Sequence, residues 1–404
     1  SARWARTTEA SAQTVEGYFI YQTLNLYNNF TYFLDNPTNG DQFLQSDKRK
    51  VFGVNLGHTQ KTPFLGFDSA TTLGAQFRYD DIAVGLFNTT LRTPTNTIRN
   101  DQVSETSLGL YGENKTNWTP RLRTILGVRG DMYWASVASD TPENSGPMNA
   151  FLASPKAGVV FGPFAESELF LNAGLGFHSN DARGVNQTVN PSTGAAATPV
   201  TPLARTTGYE AGMRTQYVPG VTALVALWQL RQNSELIFVG DAGTTEPSRP
   251  SLRTGIEALI QYQPRPWLAL DASAGVTRAR FTDVEAPGNF VPNAPNAVLS
   301  AGVTVENYRQ WFGSVRWRYF GPRPLIEDNS VRSKGTTLAY ARVGYKLDAR
   351  TKVSVDVFNL FNRKVSDIDY FYASQLKTEA AAQNDIHTHP AEPRSLRLAL
   401  RMNF

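Results

Sequence analysis

The segment 393–404, PRSLRLALRMNF, alternates without a break. Leu396, Leu398, Leu400, Met402 and Phe404 take every second position; Ser395, Arg397, Ala399, Arg401 and Asn403 take those between. Successive side chains of a strand point to opposite faces, so one face here is purely apolar and the other is small, polar and cationic. An apolar face against lipid and a polar face toward a wet lumen account for both, which is the arrangement of a transmembrane β-barrel.

The same alternation runs along the chain and predicts an all-β fold, a transmembrane antiparallel β-barrel with about 17 strands. They fall near 1–10, 14–30, 48–61, 70–90, 103–117, 121–138, 151–161, 166–179, 204–217, 222–239, 250–263, 267–282, 296–306, 311–320, 335–347, 350–361 and 393–404. Their faces sort consistently. Trp311, Val315, Trp317 and Tyr319 oppose Ser314, Arg316 and Arg318; Leu169, Leu171, Leu175 and Phe177 oppose Glu168, Asn172 and His178. Arg123 and Arg129 oppose Leu122, Leu126 and Val128, and Arg342 opposes Ala341 and Val343. An arginine facing lipid at mid-depth costs ~2–4 kcal/mol, so Arg123, Arg129, Arg316, Arg318 and Arg342 are assigned to the lumen. Segment 221–230 is apolar on both faces, and its inner face is expected to pack on something inside the lumen.

The gaps alternate in length. Short turns are expected at 11–13, 118–120, 162–165, 218–221, 264–266 and 347–349. Long gaps are expected at 31–47, 91–102, 139–150, 180–203, 240–249, 282–295, 321–334 and 362–392, with 61–69 intermediate. One rim then carries loops and the other tight turns, as in outer-membrane barrels. A β-sandwich gives no reason for such regularity.

Composition narrows the reading further. No run approaches the ~18 apolar residues of a spanning helix. A net charge of +4 without a basic run argues against nucleic acid as a partner. Cysteine is absent, which excludes a disulfide framework, thiolate metal sites and a cysteine nucleophile. GxSxG, HExxH and P-loop patterns are missing too, so the expectation is no enzyme and no cofactor. Ser1 opens on SARWARTTEA, which lacks a leader and already alternates, and the chain is expected to begin inside a structure.

At the C-terminal end, VSVDVFNLFNRK (353–364), a long gap and EPRSLRLALRMNF (392–404) resemble the end of a TonB-dependent outer-membrane receptor. In that family Asn-Leu-Phe-Asn closes the penultimate strand and an aromatic residue ends the chain. FRYDDI (77–82), ETSLGLYGENKTNWTPRLRTILGVRGD (105–131) and GPRPLIEDNSVRS (321–333) are also similar. The resemblance implies a roughly 22-stranded barrel with a plugged lumen. Residues 1–404 would be the C-terminal part of that barrel domain, with the N-terminal plug and about five first strands absent. It implies TonB-coupled uptake of a scarce nutrient, such as a metal chelate or siderophore, across the bacterial outer membrane. The implied partners are outer-membrane lipid, a small-molecule substrate, a TonB-type energy-coupling protein acting through the missing plug, and the barrel-assembly machinery. Phe404 would be the C-terminal assembly signal. A passive porin-like channel, or a barrel adhesin or enzyme, is the alternative.

Within that reading, ligand capture falls to the external loops. The gap 362–392 holds Asp367, Asp369, Tyr370, Phe371, Tyr372, Asp385, His387 and His389. His387 and His389 share a face if extended, and imidazoles beside carboxylates suit a transition metal. A third ligand is not identified, and a polar external loop whose aromatics cap the rim is the favoured reading. The candidate ligand set is Tyr370, Tyr372, His387 and His389. The luminal arginines attract an anionic substrate or pair with inner carboxylates such as Asp131 and Asp356. Helix-favouring residues at 375–382 predict at most a short helix.

Overall fold

The computed structural model describes residues 1–235, 237–239, 244–246 and 249–403. Phe404, assigned above to assembly, lies outside the described residues. The alternating segments become β1 (Ala2–Thr7), β2 (Ser11–Asn28), β3 (Phe43–Lys61), β4 (Asp68–Thr90), β5 (Thr93–Thr119), β6 (Leu122–Ser139), β7 (Gly146–Phe164) and β8 (Ser167–Ser179). A short helix α1 (Ala182–Asn186) precedes β9 (Leu203–Thr215) and β10 (Val221–Gln232). A small hairpin, β11 (Ile237–Val239) and β12 (Thr244–Glu246), separates these from β13 (Ser251–Arg265), β14 (Leu268–Phe281), β15 (Ala297–Tyr308), β16 (Trp311–Phe320), β17 (Thr336–Lys346) and β18 (Thr351–Phe358). A second hairpin, β19 (Ser366–Ser374) and β20 (Gln383–Pro390), precedes the last strand, β21 (Ser395–Met402).

Leaving out the two hairpins, every strand pairs antiparallel with the next in chain order, giving a 17-stranded sheet among the described residues. Among those residues, β1 pairs with β2 alone and β21 with β18 alone. Register carries the two faces from strand to strand. Ser314, Arg342, Asp356 and Arg397 form one inward row, and Val315, Ala341, Val357 and Leu396 form the outward row beside it. Outward apolar side chains stay bare, with Phe151 67% and Leu398 75% exposed. Each Å² of such surface in water forgoes roughly 25 cal/mol, whereas acyl chains satisfy it. At the short-turn rim, Trp267 packs on Tyr308 (4.7 Å) and Trp311 on Tyr345 (4.9 Å), as an interfacial aromatic girdle requires.

The expected faces stand, and several bounds shift: the turn expected at 11–13 lies at 8–10, β7 enters the gap expected at 139–150 from Gly146, and the strand expected over 222–239 leaves the sheet after Gln232. Three further differences concern whole segments. Segment 91–102 is not a loop: β4 and β5 continue pairing to a two-residue turn at Leu91 and Arg92. These strand ends clear the membrane and need no apolar face, so TPTNTIRND shows no alternation. The gap 362–392 holds the hairpin β19–β20, and 375–382 is its turn rather than a helix. The inner face of β10 packs on the wall itself. Trp228 lies over Gly255, where a Cβ would come within 2.6 Å of the indole, and Leu230 lies beside Gly208.

Buried apolar side chains gather on the inner face beneath the long loops. One cluster joins Ile82, Val103, Ala135 and Val137 to Ala182 of α1; another joins Ala279 and Phe281 to Val291.

Candidate functional site

Hairpin β19–β20 stands at the long-loop rim. Its register sets Tyr370 opposite His387, Tyr372 opposite Asp385 and Ile368 opposite His389. Opposed residues share a face, so Tyr370, Tyr372, His387 and His389 lie on one side of the hairpin. The Tyr372 and His387 rings stack in parallel, 3.9 Å apart. Tyr32, from the loop after β2, adds a third ring 5.9 Å from His387. The imidazole Nε2 is enclosed and has no hydrogen-bond partner among the described residues. His389 is exposed and joins no ring contact there.

The hairpin is tied down on both sides. Gln375 N donates to Thr31 O (3.1 Å) and Phe33 N to Gln375 O (3.0 Å), while Lys377 Nζ lies 5.7 Å from the Phe33 ring centroid. On the other side, Arg323 reaches the buried Asp369 at 3.9 Å, and Thr388 Oγ1 donates to Asp369 Oδ1 at 3.0 Å. The loop at 29–42 is itself organised around Asp41. Its carboxylate accepts from Thr31 Oγ1 (2.7 Å), Leu34 N (2.9 Å) and Asn36 N (2.7 Å). Gly40, at φ +81°, makes the tight return; a Cβ there would sit 3.0 Å from Tyr32 O. Tyr32 is thus held from behind. Thr31 and Asp41 also border a cleft of about 720 Å³ between this loop, the β4–β5 tip and residues 190–193, a size that suits a small ligand.

No three His, Cys, Asp or Glu side chains gather as a metal site among the described residues. What the hairpin face offers is stacking surface, phenol groups and two imidazoles, of which His387 alone joins the stack among the described residues.

The inner wall behaves differently from a bare cationic funnel. Arg129 binds Asp131 (2.7 Å), Arg123 binds Glu168 (3.4 Å), Arg316 binds Asp271 (3.0 Å) and Arg342 binds Asp356. Arg318 has no carboxylate partner among the described residues and lies 5.2 Å from the Phe320 ring. The predicted pairing with Asp131 and Asp356 is what the geometry contains.

Sequence reasoning missed further charges beneath the rim. Arg49 pairs with Asp47, Arg78 with Asp80, and Arg99 with Asp101, whose side chains are 2% and 0% exposed. Arg183 pairs with Asp181 in the loop after β8. All of these, like Arg129 and Asp131, are two residues apart, and in the strand pairs that spacing places both side chains on one face. That repeated Arg-x-Asp or Asp-x-Arg was a readable signal. The loop itself is pinned inward: Arg99 donates to Gln187 Oε1 (3.3 Å), and buried Asn144 accepts from Thr188 N (2.9 Å) and Val189 N (3.0 Å). At its start Asp181 caps α1. Burial alone would raise this carboxyl, but the charge and hydrogen bonds of Arg183 hold it below the usual carboxylate range.

Residues 1–360 match the model of the family described as TonB dependent receptor-like, beta-barrel. The metal-pseudopaline receptor CntO of Pseudomonas aeruginosa is 23% identical over 321 residues, covering 74% of this chain and 41% of the relative. The ferric yersiniabactin uptake receptor FyuA from Yersinia pestis superposes with a TM-score of 0.74 at 16% identity, covering 100% of this chain and 60% of that structure. The copper transporter OprC gives a TM-score of 0.75 at 16% identity over 100% of this chain and 64% of its own. The chain therefore spans less than two thirds of the length of each of these proteins.

Proposed function

We propose, because this chain belongs to the family of TonB-dependent receptor β-barrels, that it forms the C-terminal part of an outer-membrane receptor for energy-coupled uptake of a metal chelate. The observation that carries the substrate class is the rim face where Tyr32, Tyr370, Tyr372 and His387 come together. Aromatic rings with phenol and imidazole edges suit a flat chelator carrying its own metal ligands. Coordination by the protein is not required of such a site. The substrates named for CntO and FyuA support the same class. Paired arginines and carboxylates on the inner wall suit a wet lumen more than a selective anion path.

The unpaired edges of β1 and β21 support further strands between them, since backbone groups left open in lipid find no partner. In this reading a plug fills the complete lumen and meets a TonB-type protein, and Phe404 guides assembly. Transport of labelled iron, copper, nickel and zinc chelates into cells carrying the full-length gene tests the proposal. Uptake should vanish on deletion of the gene and on collapse of the proton-motive force. The double variant Tyr372→Ala/His387→Ala should weaken chelate binding roughly tenfold while the barrel still assembles. Uptake that persists without the proton-motive force, with steady conductance in planar bilayers, would favour the porin-like channel instead.

A further inference from the structure

The outer face of β8, β9, β10, β13 and β14 contains no carboxylate among its described residues. Three of these strands, β9, β10 and β14, bring arginine to the long-loop end of that face. Arg231 of β10 stands opposite Leu252 of β13, which stands opposite Arg280 of β14. Arg278 lies two residues below Arg280, and Arg205 of β9 lies beside Arg231 across the sheet, its carbonyl accepting from Asn233 N at 3.0 Å. Below the arginines the same face is Val225, Leu227, Ile256, Ile260 and Val276.

Depth places the charges at an interface. Arg231 and Arg278 each lie ten residues above the first residue of their strands at the short-turn rim, and Arg205 lies ten residues above the last of its own. Ten residues at ~3.3 Å, tilted by about 40°, climb roughly 25 Å, the height of the apolar band of such a barrel. The guanidinium groups therefore stand where acyl chains give way to headgroups on the external side.

These charges also lack a carboxylate partner among the described residues: Arg231, Arg278 and Arg280 join no ion pair there. Of the acids in the adjoining loops, Glu235 is engaged with Arg253, and Asp283 and Glu327 with Arg249. Arg280 is held with its Cζ 3.7 Å from the Phe290 ring centroid and its Nη1 donates to Ala279 O at 2.7 Å, and its other guanidinium N–H groups have no partner among the described residues. Guanidinium forks match phosphate oxygens in pairs, and clustered cations at a membrane surface attract anionic headgroups.

We propose that Arg231, Arg278 and Arg280 form a binding surface for the phosphorylated headgroup of a lipid in the outer leaflet. The inference rests on the outer-membrane reading above. Native mass spectrometry of the purified full-length receptor tests it, with lipid A carrying its phosphates, dephosphorylated lipid A and phosphatidylethanolamine as probes. Phosphorylated lipid A should be retained selectively. Loss should reach roughly fivefold for each of R231Q, R278Q and R280Q, and on the order of 100-fold for the triple variant. The triple lysine variant should keep most of the retention, and inorganic phosphate should not displace the lipid. Equal retention of the three lipids, or unchanged retention by the glutamine variants, would overturn the proposal. If the triple glutamine variant does not fold, as judged by heat-modifiable gel mobility, the single variants decide. Recovery of the receptor in the outer-membrane fraction is scored separately, so a receptor found there without lipid preference refutes this inference alone.

Discussion

At the level of single residues, the protein handles charge by keeping it local. Most arginines of the inner wall find a carboxylate two positions away or on a nearby strand, so each pair forms as its strands form. Burying one partner without the other would leave an uncompensated charge, at several kcal/mol. Asp181 shows how this reaches the external loop. Its carboxyl is depressed in the folded state, so its contribution is present above the unfolded pKa of ~3.9 and is lost as pH falls through the lower folded value. Hydrogen exchange across 180–202 should therefore stay slow from about pH 7 down to about pH 5 and accelerate only below ~4. Asp181→Asn should exchange faster already at neutral pH and lose that acid step. An equal acid step in the variant would assign it to another group.

At the level of elements, the long strands overrun the membrane and continue as paired ribbons outside it. The β4–β5 ribbon ends in a turn in which Leu91 (φ 50°) and Arg92 (φ 64°) both adopt left-handed backbone. Each such residue without glycine costs ~1–2 kcal/mol. Leu91 is 86% exposed, so little packing is lost on its replacement. Leu91→Gly should protect the amides of the ribbon tip by about 1 kcal/mol in hydrogen exchange; unchanged or faster exchange would show that the turn is not strained. Membrane-crossing strands were legible because one face must be apolar. These ribbons and the hairpin β19–β20 were not, because neither crosses lipid and so no face of them has to be apolar.

At the scale of the whole molecule, the sheet runs in chain order from β1 to β21 with the two hairpins set apart, and among the described residues β1 and β21 do not pair with each other. The loop after β2 and the hairpin before β21 meet through Tyr32, Phe33, Gln375 and His387. Loop contacts of this kind do not satisfy strand edges within lipid. Residues 1–404 expressed by themselves should therefore fail to give a heat-modifiable barrel band on a cold gel, whereas the complete reading frame should give one. A stable, heat-modifiable barrel from 1–404 alone would mean that β1 and β21 find a way to pair.

Alternation, turn spacing and the i,i+2 charge pairs are properties of neighbouring residues. The strands, the two faces and the inward course of Arg123, Arg129, Arg316, Arg318 and Arg342 follow from them directly. The meeting of Tyr32 with His387 and of Trp228 with Gly255, and the alignment of Arg231 and Arg280 on either side of Leu252, depend on register between strands and on where long loops land. Register is set by many cross-strand contacts acting together, and loop placement by what the loops find to pack on. Residues far apart in the chain carry no local mark of either, so those contacts appear only when the sheet is assembled.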